Sequence, residues 1–286
     1  MGKEPPSVLH GKDKKYIWHL QQMKDKGEKI TMVGTAIFDP FWVALCENAG
    51  VDLVRYVSPG VDTTDRMKNM ISHTRNIRAL APNICLNAVM QTPEHADKYT
   101  AVKVAGLLMS DGVDSVMPMA VTNDTLAYMT QNYIPVFGHV GCLSGWQAAL
   151  FGGYRRVGKT AEDAMDVFRM AYEYQENGMS GMTIELTSIE VTNAIAKKLR
   201  IPVINVAAGG AADGSEMVIT DLLGFQPKEF MPAHSKCYRE YFADGIKAFA
   251  EFKADVDSGA YPAPEHGWNM DEKELDKFLN ELEQKY

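Results

Sequence analysis

The sequence has few cysteines and no long apolar run. Its four cysteines (Cys46, Cys85, Cys142 and Cys237) lie far apart, and none is in a CxxC pair. This pattern indicates reduced thiols rather than a disulfide framework. No stretch approaches the roughly 18 apolar residues of a membrane span, and the N-terminal MGKEPPSVLHGKDKK has no apolar signal-peptide core. We therefore expect a soluble cytoplasmic protein with no membrane partner.

A clustered basic surface is also lacking. The net charge is −8 and the pI is near 5.4. Binding a polyphosphate requires clustered Lys and Arg, so a nucleic-acid partner is not expected. The composition, 46% hydrophobic over 286 residues, is that of a globular chain long enough for a sizeable core. It fits either one closed α/β domain or two small ones.

Short β-rich runs alternate with helix-like segments along most of the chain. Strands that alternate with helices predict a parallel sheet, and eight repeats in about 250 residues fit a (β/α)8 TIM barrel. A doubly wound open sheet is the alternative, but GTAIFDPFW follows the first run in place of a GxGxxG fingerprint. The eight predicted strands are 30–36, 52–57, 84–89, 115–120, 135–140, 181–186, 202–207 and, with the weakest pattern, 217–222.

The predicted domain organisation is one barrel over residues 1–268 followed by a C-terminal amphipathic helix over 269–286. In the tail, Leu275, Phe278, Leu279 and Leu282 recur at helical spacing and form an apolar stripe. This stripe fits docking on a neighbouring subunit or on the chain's own barrel, and the sequence leaves both open.

In a barrel the chemistry lies at the carboxyl ends of the strands. Glu185 ends an otherwise apolar run, where a carboxylate can be a general base or one half of a structural ion pair. His139 also ends a run and is either catalytic or satisfied by a backbone carbonyl. The flanking Gly138 and Gly141 would let the backbone approach a ligand.

Three further charged residues have two interpretations each. Arg55 interrupts a strand and is either a buried cation for a substrate carboxylate or an arginine whose head group reaches solvent. Asp62 and Asp65 have the spacing of two metal ligands, but the spacing of residues at a helix N-terminus fits them better.

Ordered motifs give the chain a family resemblance from about residue 19 to 268. They include ITMVGTAIFDPFWVALCENAG, MISHTRNIRALAPN, IPVFGHVG, LFGGYRRVGKTAEDA and PVINVAAGGAADG. The chain resembles ketopantoate hydroxymethyltransferases, (β/α)8 enzymes of the phosphoenolpyruvate mutase and isocitrate lyase superfamily. The resemblance implies a large homo-oligomer and transfer of a one-carbon unit from methylene-tetrahydrofolate to a magnesium-bound 2-oxo acid. Glu185 matches the family's proton-abstracting base, and His139 matches its histidine after strand five.

The family's metal-binding positions are occupied differently here. Ser58 matches a serine whose neighbouring acid is absent, Asn87 falls where an aspartate is expected, and Met117 and Met119 take the places of a lysine and a glutamate. Magnesium requires hard oxygen ligands, so a family-type magnesium site is not expected. We predict Ser58, Asn87, Met117 and Met119 as substrate-binding residues, and tetrahydrofolate is implied by the resemblance alone.

The sequence therefore predicts a hydroxymethyltransferase-like enzyme that uses Glu185 and His139 on a small carbonyl or carboxylic substrate without magnesium. A metal-independent lyase, decarboxylase or hydrolase in the same barrel is the alternative. A non-catalytic homologue is the third hypothesis.

Overall fold

Eight parallel strands form the centre of the molecule, in the order β4-β3-β2-β1-β8-β7-β6-β5. The computed structural model describes residues 14–35, 40–57, 63–143 and 145–286. A parallel bridge between Val116 and Val136 links the two ends of the sheet, which nearly closes it. The predicted TIM barrel is confirmed. The strands are β1 (Ile30–Thr35), β2 (Leu53–Tyr56), β3 (Cys85–Met90), β4 (Ser115–Pro118), β5 (Phe137–Gly141), β6 (Gly181–Glu185), β7 (Val203–Val206) and β8 (Gly214–Val218).

Helices alternate with these strands, and four of those in the barrel begin at a residue whose side chain caps the helix. The side chains of Asp97, Thr122, Thr160 and Ser188 each accept a hydrogen bond from a backbone N–H in the first turn of the following helix. The helices are α1 (Ile17–Lys26), α2 (Pro40–Asn48), α3 (Thr63–Leu80), α4 (Lys98–Ser110), α5 (Asn123–Gln131), α6 (Ala161–Glu176), α7 (Ile189–Lys198), α8 (Ile219–Leu223), α9 (Tyr241–Ser258) and α10 (Glu272–Lys285).

The eighth strand differs from its prediction. The sequence predicted a strand over 217–222, but β8 ends at Val218 and α8 occupies most of the rest. β8 starts at Gly214, where a Cβ would lie 2.0 Å from the carbonyl oxygen of Ile30 on β1. A side chain is excluded there by this close strand contact, and the polar residues that follow do not look like a buried strand.

The interior of the barrel is layered. At the amino end, Leu20 of α1 packs on side chains that point into the barrel and close it. These side chains include Met32, Leu53, Cys85 and Phe137. Above this apolar layer lies a polar one built around a hydrogen-bonded Arg55. The cavity described below opens above the polar layer, at the carboxyl ends of the strands, where barrel enzymes place their chemistry.

The C-terminal part of the chain contains two exposed helices. The predicted terminal helix is present as α10, and α9 precedes it without having been predicted separately. Every residue of both helices is described, and none is buried. Among the described helices, none combines the length and the apolar composition needed to cross a membrane.

Candidate active site

Glu185, the last residue of β6, faces a cavity of about 410 Å³ at the carboxyl end of the barrel. Its carboxylate accepts a hydrogen bond from the Tyr154 hydroxyl, and its Oε2 lies 3.1 Å from His139 Nε2. Gly141 has φ of 88°, and a Cβ there would lie 2.4 Å from the Glu185 carbonyl oxygen. Glycine at this position therefore lets the strand ends that carry His139 and Glu185 meet.

Opposing effects set the pKa of Glu185. Burial raises it, because a carboxylate loses hydration in this site. The hydrogen bond and charge of His139, the Tyr154 hydrogen bond and the positive charge of Arg55 act against burial and hold the pKa below its ordinary value. Glu185 is consequently ionised at neutral pH, as a proton acceptor must be.

His139 contacts a backbone carbonyl, which was one of its two interpretations, and also contacts Glu185. Its Nε2 lies 2.8 Å from the backbone carbonyl of Cys142 and 3.1 Å from the Glu185 carboxylate. Both partners are acceptors, so Nε2 carries a proton. The flanking glycines accommodate protein rather than a ligand, since the space beside Gly138 is filled by Met179 and Gly141 abuts Glu185.

Tyr154 was not identified from the sequence. It lies on the loop between β5 and α6, and it reaches Glu185 across 31 positions of chain. Burial raises its pKa, as do the hydrogen bond and charge of Glu185, so the hydroxyl stays protonated and donates. Its only signal in the sequence was its place within the motif LFGGYRRVGKTAEDA, because a loop residue carries no periodicity.

Arg55 and Glu216 form the floor of this cavity. Arg55 donates to Asn87 Oδ1 (2.8 Å), Thr183 Oγ1 (2.8 Å), Glu216 Oε2 (3.1 Å) and the carbonyl of Gly138 (3.2 Å). The guanidinium therefore lies inside the barrel, and the interpretation of an arginine whose head group reaches solvent was wrong. A buried cation for a substrate carboxylate stays a prediction, since Arg55 lines the cavity. It does not reach solvent, and its N–H groups are already used by protein acceptors.

The opposite wall of the cavity is apolar. Val57, Val89, Met117 and Met119 line it, and with Leu143 they pack into one cluster, here called the apolar wall. Met117 and Met119 are 2% and 4% exposed. The cavity thus has a polar side around Glu185 and a hydrocarbon and thioether side facing it.

Of the predicted substrate-binding residues that the structure describes, Asn87 does not line the cavity. Asn87 lies one layer lower and binds Arg55 Nε and the Ser115 hydroxyl through its amide, and Val89 takes the place expected for it. Asn87 and Val89 are two positions apart, so they share the inward-facing side of the strand and differ in depth. Ser58 lies outside the described residues.

The described residues do not fit a magnesium site. Among them there is no group of three or more His, Cys, Asp or Glu side chains that could hold a metal ion. Asp65 lies in the first turn of α3, where a carboxylate is favoured by the helix dipole. Asp62 lies outside the described residues. Thioether and hydrocarbon groups of the apolar wall do not bind this hard cation.

Backbone strain marks the rim of the site. Ala120, Leu186 and Ala207 each follow a strand end and have φ of 54°, 49° and 51°. Left-handed backbone costs non-glycine residues energy, and such residues concentrate at functional sites. Leu186 directly follows Glu185, so the backbone changes direction immediately after the residue that carries the carboxylate.

Comparison with protein families gives one match to most of the chain. The sequence model described as "Ketopantoate hydroxymethyltransferase" matches residues 14–264. A 3-methyl-2-oxobutanoate hydroxymethyltransferase of Hyperthermus butylicus is 34% identical, covering 94% of this chain and 96% of the relative. The enzyme of the same name from Chloroflexus aggregans is 32% identical, covering 94% and 98%.

Solved structures share the fold at low identity. Oxaloacetate acetylhydrolase, solved with 3,3-difluorooxalacetate, superposes with a TM-score of 0.54 at 11% identity, covering 96% of this chain and 94% of that one. 2,3-Dimethylmalate lyase, a PEP mutase/isocitrate lyase superfamily member, gives 0.50 at 12% identity, covering 94% and 98%. These likenesses confirm the barrel fold.

Proposed function

Because the chain belongs to the ketopantoate hydroxymethyltransferase family, we propose that it forms a carbon–carbon bond by hydroxymethyl transfer with Glu185 as the base. The observation that supports this proposal is the position of the Glu185 carboxylate at the cavity, in contact with His139 and Tyr154. An enzyme of this kind needs a carboxylate that can take a proton from carbon and donors close to it.

In the proposed reaction, Glu185 removes a proton from the carbon next to a carbonyl group. The electrons of the C–H bond move onto the carbonyl oxygen as an enolate. His139 Nε2–H and the Tyr154 hydroxyl face Glu185 before the proton moves. Once Glu185 holds the proton, they redirect their hydrogen bonds to this oxygen and stabilise it. The enolate carbon then adds to a one-carbon unit at the formaldehyde oxidation level, and the C=O π electrons of that unit move onto its oxygen. This oxygen takes the proton held by Glu185, which gives the hydroxymethyl group and restores the carboxylate. Tetrahydrofolate is the carrier that the family resemblance implies.

The apolar wall supports a substrate less charged than a 2-oxo acid. Met117 and Met119 offer neither a cation nor a metal ligand to a carboxylate, and both are buried. A carboxylate without such partners would lose its hydration against this wall. We therefore propose a ketone, ester or amide whose hydrocarbon part packs on the wall, in a reaction that does not require magnesium.

Proton exchange in D2O tests this function. The probes are 3-methyl-2-butanone, the methyl ester of 3-methyl-2-oxobutanoate and the free acid, each followed by NMR with and without EDTA. We expect exchange of a neutral probe at its α-carbon that is unaffected by EDTA and abolished in Glu185→Gln. The matched control is Glu190→Gln, because Glu190 is exposed on α7. Wild-type exchange in Glu185→Gln would overturn the proposal, and bond cleavage without transfer would favour a lyase.

We also propose a homo-oligomer, supported by the C-terminal helices. Apolar side chains of α9 recur at helical spacing and are exposed, with Ile246 at 57% and Phe249 at 77%. Exposing these apolar side chains to water is unfavourable in free energy, and packing the stripe on another surface removes that penalty. A second copy of this chain is the occupant that the family resemblance implies.

A further inference from the structure

A second cavity adjoins the one that holds Glu185. It has a volume of about 530 Å³ and lies over the carboxyl ends of β6, β7 and β8. Val206, Glu216 and Val218 line both cavities. The two spaces are therefore neighbours, and a molecule in one can reach a molecule in the other.

Two cations line this second cavity. Arg156 and Lys159 follow Tyr154 on the same loop, and both side chains are exposed. Within the described part of the chain, no ion pair joins either of them to a carboxylate. Two cations that face a cavity without a carboxylate partner among the described residues are unexpected in a chain of net charge −8, where acidic side chains outnumber basic ones.

The carboxylates of this cavity are engaged elsewhere. Glu216 accepts from Arg55 and from the Thr183 hydroxyl. Asp221 accepts from Gln226 Nε2 at 3.1 Å and from the Ser235 hydroxyl at 2.7 Å. Neither carboxylate forms an ion pair with Arg156 or Lys159, so both cations can face a ligand, and the spare lone pairs of Asp221 can receive an N–H or O–H of that ligand.

We infer that the second cavity binds the anionic co-substrate of the transfer reaction through Arg156 and Lys159. The assignment of a co-substrate rests on the proposed function, because a transfer requires two reactants and the apolar wall accounts for one. The anionic group is a polycarboxylate or a phosphate, and the shared border at Val206 brings the carrier's reactive end towards Glu185. A charged cleft of this kind also attracts its ligand from solution.

Binding of simple anions tests the second cavity without turnover. Citrate represents polycarboxylates and pyrophosphate represents phosphates, and isothermal titration at low and high salt measures both. We expect one of them to bind with an affinity that falls as ionic strength rises, because the contacts are ionic. The anion that binds more tightly identifies which source of the charge the cavity selects.

The variant Arg156→Gln/Lys159→Gln is expected to weaken that binding by about tenfold or more. Lys26→Gln/Lys103→Gln is the control, since it removes the same charge at two exposed positions on α1 and α4. Equal binding by the two double variants, or no binding of either anion below about 10 mM, would overturn the second site.

Failure of the second site can be told apart from failure of the proposed function. Glu185→Gln is expected to bind the anion as the wild type does, although it lacks proton exchange. Absence of exchange in the wild type would count against the proposed function alone. Loss of anion binding in Glu185→Gln would instead overturn a separate second cavity.

Discussion

The Tyr154 hydroxyl donates a hydrogen bond to the Glu185 carboxylate, although one lies on a loop and the other ends a strand. This contact links the position of the loop to the protonation of the proposed base. It also places a protonated donor beside the oxygen on which negative charge would develop.

Replacing Tyr154 by Phe should raise the pKa of Glu185. The Tyr154 hydrogen bond stabilises the carboxylate, so its loss favours the protonated form. We expect the acid limb of the proton-exchange rate to move to higher pH and the rate at neutral pH to fall about tenfold or more. Tyr133→Phe is the control, because Tyr133 is 93% exposed. An unchanged pH profile in Tyr154→Phe would show that the hydroxyl does not act on Glu185.

The pH dependence of the wild type follows from the same carboxylate. The pKa of Glu185 lies below the ordinary 4.5, so the base form persists through mildly acidic pH. We expect the exchange rate to hold as pH falls from 7 and to decline only below about 4.5. The free energy of unfolding should also fall with pH in this range, because the stabilisation from a lowered carboxyl pKa is lost as pH falls through that pKa. A rate that already declines near pH 6 would contradict the lowered pKa.

Removing one partner of the Arg55–Glu216 pair should cost stability. Both side chains are less than 10% exposed, so Arg55→Met leaves an unpaired carboxylate in the barrel. We expect the free energy of unfolding in denaturant to fall by about 3 to 5 kcal/mol. Arg55→Met/Glu216→Met should recover most of that loss, because both charges are then gone.

The control for this pair is Arg169→Met. Arg169 forms an exposed ion pair with Asp166, and such pairs contribute about 0 to 1 kcal/mol. A double variant at Arg55 and Glu216 that is no more stable than Arg55→Met would show that packing, rather than the unpaired charge, determines the effect.

Magnesium should change neither the thermal midpoint nor the exchange rate. A ligand that binds the native state raises its midpoint, and the described residues offer no carboxylate cluster for this cation. Thermal melts and exchange assays with magnesium and with EDTA measure both effects. An increase of either quantity on adding magnesium would contradict the proposed metal independence and direct attention to Asp62 and Asp65.

Deleting residues 270–286 should lower the mass of the particle in solution. The deletion removes α10, whose Leu275 and Phe278 are 40% and 54% exposed in a single copy. Light scattering after size exclusion measures the mass. Glu281→Gln, on an exposed position of the same helix, is expected to keep the wild-type mass. An unchanged mass after the deletion would show that α10 is not required for assembly.

Periodicity predicted the barrel because seven of its strands are apolar runs that a short pattern can identify. The eighth was misplaced, because Ser215 and Glu216 face other polar groups and break the apolar pattern. Glu185 and His139 were predicted for a related reason: Glu185 is the last residue of the apolar strand β6, and His139 lies two residues before the end of β5.

The remaining site residues depend on contacts between distant parts of the chain. Tyr154 is defined by a loop that folds back over the cavity, and Arg55 by an acceptor 161 positions away. No local pattern encodes such pairings. The depth of Asn87 was missed because residues two apart on a strand share a face and differ only in height.

The apolar wall is built beside the weakest joint of the barrel. Met117 belongs to β4, and β4 meets β5 through the Val116–Val136 bridge, whereas every other neighbouring pair of strands is joined by a ladder of at least two residue pairs. Methionine side chains are themselves adaptable. Fewer strand-to-strand pairings therefore hold this side of the cavity than the side of β5 and β6, where five residue pairs join the strands that carry His139 and Glu185.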